Sequence, residues 1–178
     1  MPIHPRDPEL FAFEDDGEAP KNPNLPLTIY RGPVAVDGAA DPAAVFEKLF
    51  AANGWKDGWR NGIYGFRHFH TRAHEVLGIA RGYAMVEFGG GRGPQLELRA
   101  RDVAILPAGT GHRRLAASAD LLVVGAYPGA SDSSHVRPSE LDHAQAIAEI
   151  ASVKLPEKDP VYGKDGPLMK AWRPDRLQ

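Results

Sequence analysis

His68 and His70 flank a single residue, and Glu75 follows on the far side of a four-residue connector. On an extended strand successive side chains point to opposite faces, so the two histidines of a His-x-His triplet look the same way, roughly 6.6 Å apart along the chain. Two imidazoles so placed can converge on one point. The connector Thr71-Arg72-Ala73-His74 is short enough for a turn that returns the Glu75 carboxylate beside them. Further on, Pro107-Ala108-Gly109-Thr110-Gly111-His112 reads as a turn that re-enters a sheet and delivers a third imidazole to the same interior. Three neutral imidazoles and one carboxylate make an N/O ligand set of intermediate hardness. It suits one divalent ion of Fe, Mn, Ni, Co or Zn, with positions left for water or substrate. The chain has no cysteine, which excludes disulfides, thiolate nucleophiles and Cys-based metal sites and leaves imidazole and carboxylate as its strong ligands.

Other residues acquire roles from their spacing to this set. His74 adjoins Glu75 and would replace it as fourth ligand if the turn were one residue shorter. Strand alternation favours Glu75, because it puts Leu77 and Ile79 on the interior and turns His74 away, where it could serve as a second layer around the ligands or as a proton shuttle. The same alternation through His68 points Tyr64 and Phe66 inward, Phe66 as core and Tyr64 as either core or pocket wall. Tyr64 and His74 are thus the candidate catalytic groups, and Tyr64, Phe66, Leu77 and Arg114 the candidate substrate contacts. Arg114 shares the face of His112 if the strand is regular, where its guanidinium would clamp a carboxylate or enolate; a solvated strand position is the competing reading. His4, His135 and His143 lie outside this segment without acids at ligand spacing and receive no role.

The elements that must position these groups form a mostly β pattern. Between Gly62 and Tyr127 short apolar or alternating runs separated by glycine-rich turns predict an antiparallel sandwich or barrel, with strands over 63–70, 75–81, 83–88, 95–100, 102–106, 113–117 and 121–127. Gly89-Gly90-Gly91-Arg92-Gly93 reads as a hairpin loop and not a phosphate cradle, since no strand-then-helix context surrounds it. Upstream, residues 2–26 are proline-rich and polar, and 27–30 predicts a short edge strand. Asp41 as N-cap and Pro42 at the first helical position open a helix with Val45, Phe46, Leu49 and Phe50 on its apolar face, ended by Gly54. Trp55 and Trp59 are expected to cover one end of the barrel. Ser139 and Asp142 resemble a capping box ahead of Leu141, Ala144, Ile147, Ala148 and Ala151, and the turn-rich tail from Leu155 is expected to wrap the barrel or a partner.

Composition bounds the rest. A chain of 178 residues has room for one domain, read here as a core barrel over about 60–128 with an N-terminal arm (1–59) and a C-terminal helix and tail (129–178). Net charge is −2, with 23 acidic residues against 21 Lys and Arg, so no bulk attraction to nucleic acid or an anionic membrane is expected. A small-molecule partner fits better. The absence of a signal pattern and of a bilayer-length apolar run predicts a cytoplasmic protein.

The ligand residues and their spacing resemble the cupin superfamily. Its first motif, Gly, five residues, His-x-His, three or four residues, Glu, six residues, Gly, is matched by Gly62, His68, His70, Glu75 and Gly82. Its second, Gly, five residues, Pro-x-Gly, two residues, His, three residues, Asn, is met by Pro107, Gly109 and His112, with Arg101 in place of the Gly and Ala116 in place of the Asn. The stretches Asn22-Pro23-Asn24-Leu25-Pro26-Leu27, His74-Glu75-Val76-Leu77-Gly78, Asp159-Pro160-Val161-Tyr162-Gly163 and Gly166-Pro167-Leu168 are similar to the bacterial YjlB-type cupins, over nearly the whole chain. The resemblance implies an all-β cupin double-stranded β-helix, or jelly-roll barrel, a bound divalent metal and often a homodimer. It implies no substrate, because cupins host dioxygenases, decarboxylases, isomerases and mere binders. The expectation is a metal-dependent enzyme on a small polar or acidic molecule, an oxygenase if the ion is iron, with a binding or sensing module and a purely structural metal as rivals.

Overall fold

The computed structural model describes residues 2–3, 5–140 and 142–173. His4 and Leu141 lie outside the described residues. The chain forms β1 (Glu9–Phe11), β2 (Leu27–Tyr30), α1 (Pro42–Ala52), β3 (Trp55–Asn61), β4 (Phe69–His70), β5 (Glu75–Arg81), β6 (Tyr83–Phe88), β7 (Gln95–Arg99), β8 (Val103–Leu106), β9 (His112–Ala117), β10 (Leu122–Pro128), β11 (His135–Val136), α2 (His143–Ser152) and α3 (Pro167–Ala171). A six-stranded sheet in the order β1-β2-β8-β5-β10-β3 faces a three-stranded sheet β7-β6-β9, and β11 pairs with β4 in a two-residue ladder. All these pairs are antiparallel. The result is a jelly-roll barrel with flanking helices.

Two apolar layers share the large sheet. Inside the barrel, Leu27, Ile29, Leu77, Ile79, Ala104 and Val123 meet Ala84, Val86, Phe88 and Leu98 of the opposite sheet. On its outer face, Val76, Val103, Ile105 and Val124 pack against Phe46 and Phe50 of α1, with Trp55, Leu168 and Trp172 completing the layer. Strand β5 is therefore covered on both sides, and its residues are buried up to Ala80. Phe46 lies so close to Gly78 that a Cβ there would stand 2.4 Å from its ring.

Several expectations hold and several are corrected. Helix α1 starts at Pro42 with the Asp41 carboxylate accepting from the Ala44 N–H (3.3 Å), and Gly54 follows it at φ +80°. Arg101, where the motif has glycine, takes the left-handed backbone that glycine would supply (φ 86°). Strands β5 and β6 run as expected. The strand expected over 63–70 shrinks to Phe69–His70, because residues 62–67 leave the ladder as a loop held by single bonds such as Arg114 N–H to Tyr64 O (2.9 Å). Strand β2 is no edge, since β1 flanks it on one side and β8 on the other. The barrel also begins earlier than residue 60, since β3 supplies a sheet edge, placing Trp59 in a wall and not over an end. Asp142, accepting from the Gln145 N–H (3.1 Å), caps α2, while Ser139 belongs to a short 3₁₀ turn. Among the described residues no helix is long and apolar enough to cross a membrane.

Candidate metal centre

Each of the four expected ligands is delivered by a different device. Strand β4 carries His70, and His68 stands just before it in an isolated bridge to His112, the first residue of β9. The turn 71–74 returns the chain so that Glu75 opens β5 on the face shared by Leu77 and Ile79. The rings of His68 and His112 are 4.1 Å apart between centroids, those of His68 and His70 6.1 Å, and those of His70 and His112 6.4 Å. Glu75 Oε2 lies 3.3 Å from His70 Nε2 and 3.4 Å from His112 Nε2. All four side chains are buried.

The hydrogen bonds around these rings decide which nitrogen is available. Nδ1 of His68, His70 and His112 points at the carbonyl oxygens of Phe66 (3.2 Å), Ser134 (3.2 Å) and Thr110 (3.1 Å). A carbonyl only accepts, so Nδ1 bears the proton in each ring and Nε2 presents a lone pair inward. Facing them, Glu75 Oε2 is fully buried without a hydrogen-bond partner. Lone pairs aimed at a carboxylate oxygen repel unless positive charge lies between them, either a second proton on a ring or a cation. Burial opposes charge on His70, yet Glu75 outweighs it and holds the His70 pKa above its ordinary value. For Glu75, burial pushes the pKa up, but His70 and His112 overcome it and hold the carboxyl well below the carboxylate range. His68, by contrast, is pushed down to about 3 by burial and by the neighbouring His112.

The donor set fits a divalent ion in its chemistry: three ring nitrogens not engaged by the backbone and one carboxylate oxygen without a hydrogen-bond partner, with the ion taking the place of the second proton that Glu75 favours on His70. Among the described residues no group of three such side chains is already disposed around a single point as ion ligands. The 3.3 and 3.4 Å separations of Glu75 Oε2 from His70 Nε2 and His112 Nε2 match those of two ligands each about 2.1 Å from one ion.

The centre opens into a cavity of about 230 Å³ whose wall includes Trp59, Ile63, Tyr64, Leu77, Tyr127 and His135. Leu77 and Tyr64 thus occupy the expected wall, although Tyr64 is 46 % exposed and sits at the rim. Phe66 and Arg114 do not line it. Phe66 stacks on the outer side of Tyr64 (centroids 4.7 Å apart) beneath the Arg137 guanidinium, and Arg114 is exposed against the 62–65 loop. Phe66 was expected inside on the assumption of strand alternation, which the loop breaks; for Arg114, on β9, the solvated strand position is the one observed and the substrate clamp is not. His74 is turned away from the pocket, buried against Trp172, with Nδ1 accepting the Ala108 N–H (2.9 Å). It braces the loop that carries His112 and cannot act on a substrate.

Three wall residues escaped the sequence reading. His135 arrives on β11, directly across the ladder from His70. Trp59 and Tyr127 form a polar chain: Trp59 Nε1–H donates to Tyr127 Oη (2.9 Å), which lies 3.3 Å from Glu75 Oε1. Burial, then the Glu75 charge, raises the Tyr127 pKa, so it stays a donor. The sequence carried no signal for this pair, since Trp59 precedes the expected strands and its pairing across from β10 emerges only in the fold.

No protein-family model matches the chain. Among curated proteins it is 34% identical over 169 residues to "Uncharacterized protein YjlB" of Bacillus subtilis (strain 168), covering 94% of this chain and 98% of that one. Among solved structures it is similar to the acireductone dioxygenase from Bacillus anthracis with a cadmium ion in its active center: 19% identity, TM-score 0.39, 52% of this chain and 65% of that one. It is also similar to a DUF861 family protein from Thermotoga maritima: 16% identity, TM-score 0.34, 56% of this chain and 96% of that one. An oxalate decarboxylase from Bacillus subtilis matches at 17% identity with TM-score 0.38, over 83% of this chain and 40% of that one. The chain spans less than two thirds of the dioxygenase and of the decarboxylase.

Proposed function

The chain belongs to the YjlB family of cupins, and on that premise we propose that it is a metal-dependent enzyme acting on a small polar or acidic organic molecule, with His68, His70, Glu75 and His112 as the ligands of one divalent ion. The observation that carries this reading is the fully buried, unpartnered Glu75 Oε2 faced by two Nε2 atoms whose rings already use Nδ1 as donor.

A bound divalent ion would supply Lewis-acid polarisation of substrate oxygens and, if it is iron, activation of oxygen. The protein's own groups do the rest. Three neutral imidazoles and one carboxylate leave a dication with one net positive charge, which favours a substrate that coordinates through a single anionic oxygen. The cavity of about 230 Å³ falls below the roughly 300–1,000 Å³ of drug-sized ligand sites, which favours a small substrate. Ile63 and Leu77 keep water from the apolar side, while Trp59 and Tyr64 offer flat surfaces to a planar group.

Protein purified without added metal should carry about one divalent ion per chain by elemental analysis, and His70→Ala should lose it. A wild-type protein without stoichiometric metal, unaffected by that substitution, would overturn the reading. A metabolite screen with loaded protein then separates turnover from binding: substrate consumed supports an enzyme, and a ligand recovered unchanged marks a binding module.

A further inference from the structure

We propose that Tyr127, braced by Trp59, is a positioning residue that dictates which oxygen of Glu75 faces His70 and His112, so that ion affinity and coordination depend on a phenol that is not itself a ligand. This rests on reading the centre as a metal site.

The direction of the chain is fixed by elementary donor chemistry. An indole N–H can only donate, so the 2.9 Å contact from Trp59 Nε1 occupies a lone pair of Tyr127 Oη and leaves the phenol's single hydrogen for another acceptor. That acceptor is Glu75 Oε1. With Oε1 engaged, Oε2 is the oxygen turned to His70 and His112, and it is the one without a partner. A carboxylate free to rotate would share both oxygens between these tasks; one pinned at Oε1 presents a single donor atom.

The backbone is arranged around this contact. Trp59 lies across the ladder from Gly125, and a Cβ at Gly125 would stand 2.1 Å from Trp59 Cε2, so glycine is what lets the indole lie flat on β10. Between Gly125 and Tyr127 the register of β10 against β3 shifts, and an irregularity of this kind re-aims the side chain that follows it. A missing side chain and a shifted register thus converge on one phenolic oxygen. A tyrosine buried only for its bulk would need neither.

Co(II) titration of the purified wild-type protein, followed by visible absorption, gives the reference affinity and band shape. Tyr127→Phe keeps the ring and removes only the oxygen; it should bind Co(II) about 10–100-fold more weakly, with an altered band, while its unfolding midpoint without metal changes little. Trp59→Phe, which leaves Tyr127 in place but unbraced, should change the band in the same direction by a smaller amount, and it tests the idea if the first variant does not fold. Identical affinity and spectrum in Tyr127→Phe, or an unchanged band in Trp59→Phe when only that variant folds, overturns this inference and leaves the metal reading standing. A wild type that binds no Co(II) overturns both.

Discussion

A buried imidazole can serve the fold or the chemistry, and the atom that its Nδ1 meets separates the two uses. His68, His70 and His112 give the Nδ1 proton to a carbonyl and turn Nε2 inward, whereas His74 accepts the Ala108 N–H at Nδ1 and is a neutral brace. Burial pushes the His74 pKa from the ordinary 6.5 down to about 4. As pH falls below 6.5 the unfolded chain takes up a proton at His74 that the folded chain refuses until about 4. The stabilisation is therefore complete above 6.5 and lost progressively down to the folded value, a total of about 3 kcal/mol for the 2.5-unit difference. In metal-free protein, urea midpoints at pH 7 and 4.5 should differ less in His74→Gln than in the wild type. Some acid sensitivity should persist, because His68 is depressed in the same sense. That Glu75 and not His74 turns toward the histidines was legible in the sequence because β5 is a regular strand and parity alone separates the two. Phe66 was misplaced by the same rule, applied to a residue whose backbone has left the ladder, while Tyr64 reaches the pocket wall only at its rim.

At the level of elements, β5 is the beam on which the centre is mounted, and α1 clamps it from outside. Gly78→Ala would set a methyl 2.4 Å from the Phe46 ring, and either the helix or the strand must yield. We expect a loss of about 1–3 kcal/mol, read as a lower urea midpoint. Removing the ring instead, with Phe46→Ala, should cost about 3–5 kcal/mol. The short β11 lies at the other extreme, a two-residue ladder with one residue exposed and one half-buried. Its amides should exchange with deuterium well before those of β5, observable by mass spectrometry of peptides spanning 129–137 and 75–81. Helix α1 and the central strands could be read from caps and alternation because their signals are local. A two-residue strand has no periodicity, so neither β11 nor the place of His135 beside the centre could be read.

For the whole molecule, the outer layer is closed by the C-terminal tail. The buried Asp159 carboxylate accepts from the N–H groups of Val161 (2.8 Å), Tyr162 (3.1 Å) and Leu168 (3.2 Å) and from the Tyr30 hydroxyl, and Trp172 Nε1–H reaches Pro26 O (3.0 Å). Asp159→Ala would take the acceptor from the buried Val161 N–H and Tyr30 hydroxyl at about 1–3 kcal/mol each, while Leu168 N–H keeps Tyr30 Oη (2.8 Å), so a clear drop in thermal midpoint is expected by calorimetry. That the tail packs on the body was foreseeable from its turns. Its seat was not, because the layer it completes is assembled from Tyr30, Phe46, Trp55, Val76 and Val124, which no sequence window brings together. The Ser134 carbonyl that holds His70 Nδ1 belongs to the segment leading into β11, beside the cavity mouth. Any guest that pushes this segment aside unlatches the ring, so on the proposed metal reading admission of a guest and retention of an ion would be linked, each changing the affinity for the other by the same factor.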